Sequence, residues 1–200
     1  MRRFPAQQRS REKVQRILDA AEELLATVGY DRAVESPVQL LEACGVSRGA
    51  FYSYFTSPEM AVETVALGFI ARARAMADEF AAEDYASWPE LVEHTIDVYA
   101  GYYREPAVRE LWLNGHLSPV AVAADEKANL YIAEQLFATL RRVAPGTSGA
   151  LHVSHCSVAI EILDYLLRFA FRPDPQGDGT LIREAKAAMV AYLGTKMDVG

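Results

Sequence analysis

The residues of this chain equipped for directional chemistry fall in two groups. The first follows the tetrapeptide Cys44-Gly45-Val46-Ser47: Ser47, Arg48, Gly49, Tyr52 and Ser53 offer hydroxyls, a guanidinium and an unobstructed backbone, with no carboxylate among them. Small and cationic hydrogen-bonding groups of this kind suit phosphate oxygens and base edges rather than proton transfer. The second is a concentration of aromatic and polar-tipped residues: Tyr99, Tyr102, Tyr103, Trp112, His116, Tyr131, Phe137, His152 and His155. Apolar rings with a few polar tips are the usual lining of a small-molecule cavity. They are equally the makeup of a core whose hydroxyls find backbone partners. Neither group is catalytic in pattern. The chain has no G-x-S-x-G, H-E-x-x-H, phosphate-binding-loop or G-x-G-x-x-G sequence, and Ser154, His155 and Cys156, though adjacent, point apart on a helix. The reading is therefore not an enzyme. No cofactor and no metal are expected, since a site from His116, His152 and His155 would need a convergence that the sequence does not show, and Cys44 and Cys156 read as packed, reduced thiols.

Presenting the first group takes two short helices joined by a tight turn. Gly45 can adopt a positive φ without a Cβ penalty, and Ser47 can cap the helix that follows it. Val38, Leu41 and Cys44 before the turn, and Ala50, Phe51, Tyr54 and Phe55 after it, recur at helical spacing and can pack together. Ser36-Pro37 starts the first of these helices, with the hydroxyl at the N-cap and proline in the first turn. Upstream, Ile17, Leu18, Ala21, Leu24, Leu25 and Val28 form the stripe of a helix from about Ser10 to Val28, ended by Gly29, and Tyr30 to Glu35 reads as a connection. Downstream, Thr56-Ser57-Pro58-Glu59 opens a long helix, through a Thr56/Glu59 capping box or one residue later at Ser57-Pro58. Val62, Val65, Phe69, Ala73, Met76 and Phe80 give it one buried face.

The remainder is helical as well. Ser87-Trp88-Pro89-Glu90 opens a helix carrying Val98, Tyr99, Tyr102 and Tyr103, Pro106 a shorter one with Leu111, Trp112 and Leu117, and Ser118-Pro119 another to about Val143, with Leu130, Ala133, Phe137 and Leu140 in register. Between Val158 and Phe171 the charged residues are Glu161, Asp164 and Arg168, which share one face; the other faces are apolar. A second apolar helix, with Leu181, Ile182, Ala185, Met189 and Leu193, ends the chain. Two such helices exceed what one small core covers, so they are expected to pair with their copies across a twofold axis as a four-helix bundle. Nothing alternates like a strand for more than a few residues, and no repeat is present.

The run RILDAAEELLATVGYDRA followed by LLEACGVSRGAFYSYFTSPE resembles the amino-terminal domain of the tetracycline-repressor (TetR) family of transcriptional regulators, over about Lys13 to Val65. The resemblance implies that Ser36, Gln39, Ser47, Arg48, Gly49, Tyr52 and Tyr54 touch DNA. Among these, Arg48 and Gln39 are able to read guanine and adenine edges respectively, while Tyr52 and the hydroxyls suit phosphates. It also implies that the helix opened at Thr56 to Pro58 connects reader and body, that the body holds an effector pocket, and that the last helices dimerise. Leu41 stands where the family usually has a small residue, and Pro58 where it usually has a lysine.

The formal charge of −7 is unevenly spread: Arg2, Arg3, Arg9, Arg11, Lys13 and Arg16 face Glu12 alone in the first sixteen residues, a local balance of +5 that leaves −12 on the other 184. With a Debye length of about 8 Å, a basic arm beside DNA outweighs acidic charge held farther off. Arg9 and Lys13 are accordingly expected to bind phosphates. No apolar run reaches the roughly 18–20 residues of a membrane span, and MRRFPAQQRSREK lacks the apolar core of a signal peptide.

Together these readings give an all-α chain with an N-terminal three-helix helix-turn-helix DNA-binding domain over residues 1–57 and a C-terminal helical ligand-binding and dimerisation domain over 58–200. The expected function is a cytoplasmic, homodimeric repressor that binds double-stranded DNA at a near-palindromic operator and is released by a small hydrophobic or aromatic effector held by Tyr99, Tyr102, Tyr103, Trp112, His116, Tyr131, Phe137 and His155. The alternative is a dimeric helical interaction protein of the same fold that does not bind DNA.

Overall fold

Helix boundaries follow capping chemistry closely. The computed structural model describes residues 4–197, in the order α1 Phe4–Val28, α2 Tyr30–Glu35, α3 Pro37–Cys44, α4 Arg48–Phe51, α5 Pro58–Ala82, α6 Trp88–Tyr103, α7 Pro106–Leu113, α8 Pro119–Val143, α9 Val153–Phe171 and α10 Gly179–Gly194, with no strand among the described residues. Ser57 accepts the N–H of Met60, so α5 takes the later of its two possible starts. Ser87 accepts from the N–H of Glu90 while the Glu90 carboxylate accepts from the N–H of Ala86, which completes a reciprocal cap on α6. Ser118 caps α8 through Ala121, and Asp178 caps α10 through Thr180 and Leu181.

Three expectations change. The first helix already includes Phe4, the first described residue, where a start near Ser10 is expected from the sequence. Tyr30 to Glu35 is a short helix rather than a bare connection, with the Ala33 N–H bonded to the Gly29 carbonyl. Val38 is 52% exposed, whereas Leu40 is buried: two residues advance the side chain about 200° around a helix, and Leu40 and Cys44 define the inward stripe.

The chain divides into two compact units. One is the chain through Gly68 together with Pro106–Ala121; the other is Phe69–Glu105 and everything from Val122 onward, so α5 contributes residues to both. In the first unit α1 packs on α2, α3 and α7, burying Ile17, Ala21, Leu25, Leu40 and Phe51. In the second, α9 packs on α10 and α6, and α6 on α10, burying Leu91, Ile96, Leu163, Leu167, Ala185 and Met189. The α9–α10 turn needs glycine at 177: φ is +86°, and an added Cβ would lie 2.7 Å from Phe171 and 2.8 Å from Ile182.

On α9 the inward set is Cys156, Ala159, Ile160, Leu163 and Leu167, while Val158, Tyr165 and Phe169 are exposed. The helix thus has a second apolar face that this chain alone leaves uncovered. Burial pushes the Cys156 thiol up to about 12, and Cys44 is also buried; both are free thiols. Leu130, expected in the α8 core, is 56% exposed.

Candidate nucleic-acid interface and body cavity

The reader face is assembled from local caps. Ser36 accepts the N–H of Val38 at 3.3 Å and Ser47 that of Ala50 at 3.4 Å. Gly45, at φ 60°, closes α3 through its N–H to the Leu41 carbonyl. A capping hydroxyl still has its own hydrogen to donate, so both serines remain able to bond an anionic oxygen. After Ser47 the chain makes a single helical segment and turns back: the Ser53 hydroxyl donates to the Ala50 carbonyl at 2.6 Å, and the Phe55 N–H to the Phe51 carbonyl. Phe51 and Phe55 anchor this turn in the core.

What remains outside is Gln39, Ser47, Arg48, Gly49 and Tyr52, all exposed, with Ser36 partly so. The Arg48 guanidinium lies 5.7 Å from the centre of the Tyr52 ring. Tyr54 differs from the rest of this set. It is half-buried, and its hydroxyl shares a 2.7 Å hydrogen bond with Ser10. That bond ties α1 to the residue just beyond α4. Arg9 and Lys13, on the same helix as Ser10, are exposed; Arg2 and Arg3 lie outside the described residues.

The second unit holds a small cavity, about 300 Å³ with its solvent-open mouth included, between α6, α8 and α9. Tyr99 and Tyr103 line it, joined by Asn129, Ile132, Leu163 and Asp164. Its polar groups are already engaged. The Tyr99 hydroxyl donates to the Ala73 carbonyl at 3.0 Å. The Tyr103 hydroxyl donates to Asp164 Oδ1 at 2.6 Å and accepts from Arg168 Nε, while Asp164 Oδ2 pairs with Arg168 Nη2 at 2.6 Å. Burial, and after it the Asp164 carboxylate, hold the Tyr103 phenol protonated well above its usual pKa. The signal for Asp164 and Arg168 was an opposite-charge pair at i,i+4 within an apolar helix. Asn129 and the aliphatic lining gave no sequence signal that would separate them from ordinary core.

The other residues expected around a ligand are dispersed. Tyr102 is buried, edge-on to Phe69 and Tyr103. Tyr131 donates to Asp78 and lies under the Arg74 guanidinium, 4.3 Å from its ring centre. Phe137 faces Arg141, and His155 accepts the His152 N–H at the start of α9. Trp112 and His116 belong to the other unit, where Trp112 is buried and His116 stacks on Tyr30 at 4.5 Å, 4° from parallel. Among the described residues no group of His, Cys, Asp and Glu could hold a metal ion, and no helix is long and apolar enough to cross a membrane.

Two family descriptions match the chain: a tetracycline-repressor-like C-terminal domain over residues 86–197, and bacterial regulatory proteins of the TetR family over residues 17–59. No match was found among curated protein sequences. Similar solved structures include a TetR-family transcriptional regulator from Streptomyces coelicolor, 25% identical over 92% of this chain and 99% of that one, with a TM-score of 0.69. The TetR-family regulator PfmR from Thermus thermophilus is 24% identical over 89% and 97%, with a TM-score of 0.60. The fatty acid degradation regulator FadR from Bacillus halodurans is 17% identical over 97% of both chains, with a TM-score of 0.69.

Proposed function

Because this chain belongs to the tetracycline-repressor family of bacterial regulatory proteins, we propose that its ligand-responsive control of transcription runs through the two sites just described. The protein is a DNA-binding transcriptional regulator and not an enzyme. The family match over residues 17–59 favours this over the interaction-protein alternative. In our reading residues 1–57 read DNA and residues 58–200 bind the effector and dimerise.

One observation carries the assignment of the reader: an exposed, carboxylate-free set at the start of α4, held on a turn whose own caps are satisfied. Arg48 and Gln39 read base edges; Ser36, Ser47, Gly49 and Tyr52 hold phosphates, with Arg9 and Lys13 on α1. Tyr54 serves this face through its bond to Ser10. The uncovered apolar face of α9, with α10, supports pairing of two copies in a homodimer. Two reader faces about 34 Å apart meet successive major grooves of a near-palindromic operator. A small, mostly apolar effector occupies the body cavity, and by binding one conformation better than the other it shifts the DNA-binding equilibrium, releasing the operator.

The test is selection of bound duplexes from random-sequence DNA by the purified protein. Enrichment of a two-half-site palindrome supports the reading; no enrichment at any salt from a folded dimer refutes it and favours the interaction protein.

A further inference from the structure

The unit that contains the reader has a cleft of its own, about 520 Å³ with its solvent-open mouth included, formed by Tyr30, the first turns of α5 and the α7–α8 connection. One wall is aromatic. Tyr30 and His116 stack at 4.5 Å with their planes 4° apart. Glu110 holds that stack from behind, accepting the Tyr30 N–H at 2.7 Å and lying 3.6 Å from His116 Nε2, and Asn114 steadies the carboxylate at 2.7 Å. The floor is apolar, from Val62, Ala66 and Leu111.

The lining also carries Glu59 and Glu63, one turn apart on α5. Like charges at i,i+4 destabilise a helix by a few tenths of a kcal/mol, a repulsion that Glu59 offsets in part from the first turn of α5, where the helix dipole favours an acidic group. Among the described residues neither takes part in an ion pair. Ser118 donates to Glu63 at 2.5 Å and fixes its direction. Glu59 is near enough to Tyr30 to be felt: burial first, then the Glu59 carboxylate, raise the pKa of that phenol.

The chemistry of the walls selects an occupant. An anion is repelled by both carboxylates. A neutral apolar molecule would desolvate them with no compensating bond, which is costly. A cation carried on an apolar body matches the whole lining: the charged head bonds Glu59 and Glu63, and the body covers the apolar side chains and the Tyr30 and His116 rings. We propose that this cavity is a second ligand site, distinct from the body cavity, for a small organic cation with an ammonium group on an apolar or aromatic body.

The test uses the full-length protein with phenethylammonium and its neutral isostere 2-phenylethanol, followed by calorimetry and by the His116 ring-proton shifts. Phenethylammonium is expected to bind once per chain and to shift the His116 signals, with the alcohol at least about tenfold weaker, a difference of about 1.4 kcal/mol. The double variant Glu59→Gln/Glu63→Gln, which removes a repulsion and keeps the shape, should lose at least that factor for the amine and none for the alcohol. His116→Ala provides an independent weakening through the ring wall. Leu163→Phe, which fills the body cavity, should leave amine binding unchanged. Equal affinity for the two probes, amine binding that survives the Gln pair, or no His116 shift at the highest soluble amine concentration would each overturn the proposal. Attraction to the overall negative charge of the chain would appear as the second of these.

Discussion

The polar groups at the start of α4 and those around the body cavity differ in what already holds them. Arg48, Gln39 and Tyr52 are exposed, and the serines beside them are spent only on backbone caps. In the cavity, by contrast, Tyr103, Asp164 and Arg168 satisfy one another within 2.6–3.4 Å, and Tyr99 is bonded to a backbone carbonyl. In the proposed role, a surface that exchanges water for phosphate and base edges keeps its donors available. The polar atoms around the cavity are neutralised in advance, because an unpaired buried group there would cost about 1–3 kcal/mol. The reader is therefore organised by what lies beneath it, and the cavity by what lies across from it.

The most severe test of that contrast is Phe51→Ala. Phe51 has no exposed surface and anchors the segment that carries Arg48 and Tyr52, so its truncation should cost about 3–5 kcal/mol and be read as an earlier denaturant midpoint with loss of DNA binding. A stable variant would mean that the turn is held by its caps alone. Arg48→Ala should leave the denaturation midpoint unchanged and cost about 1–3 kcal/mol of specific DNA affinity, relaxing preference at one base position per half-site. An equal loss on all sequences would move Arg48 from base reading to phosphate binding.

Tyr103→Phe sharpens the other side of the comparison. It removes the hydroxyl between Asp164 and Arg168, which still pair directly, so a loss of about 1 kcal/mol of stability is expected by denaturant titration, with DNA specificity unaltered. A large loss would show that the three groups act as a single network. The smallest effect belongs to Lys13→Ala. Exposed and without a role in the core, Lys13 should contribute about one phosphate contact, weakening specific and non-specific DNA alike and reducing the salt slope by about 0.9. An unchanged slope would take α1 out of the interface.

Much of this architecture was legible in the chain because helix starts are written in contiguous residues. Ser36-Pro37, Gly45 and Ser47, Ser57-Pro58, Ser87 with Glu90, and Ser118-Pro119 all sit where the structure puts helix ends. The misplacements arose where local rules tie. Pro5 is compatible with a helix start or with an arm, and YDRAVE is too short for periodicity to decide. Tyr54 shows the limit inside the reader: its motif places it with the DNA-facing residues, while its hydroxyl bonds Ser10, 44 positions earlier.

By itself, then, the sequence determined most helix starts and the family, since caps and apolar stripes act over three or four residues and need no knowledge of the rest of the fold. Tertiary structure decided which aromatic residues meet. Periodicity assigns a residue to a face but not to a partner. Tyr103 finds Asp164 across 61 positions, and Tyr30 finds Glu110 across 80. Such pairings put Tyr99 and Tyr103 on the body cavity while sending His116 to a different one, because contacts that distant are chosen by how whole helices pack.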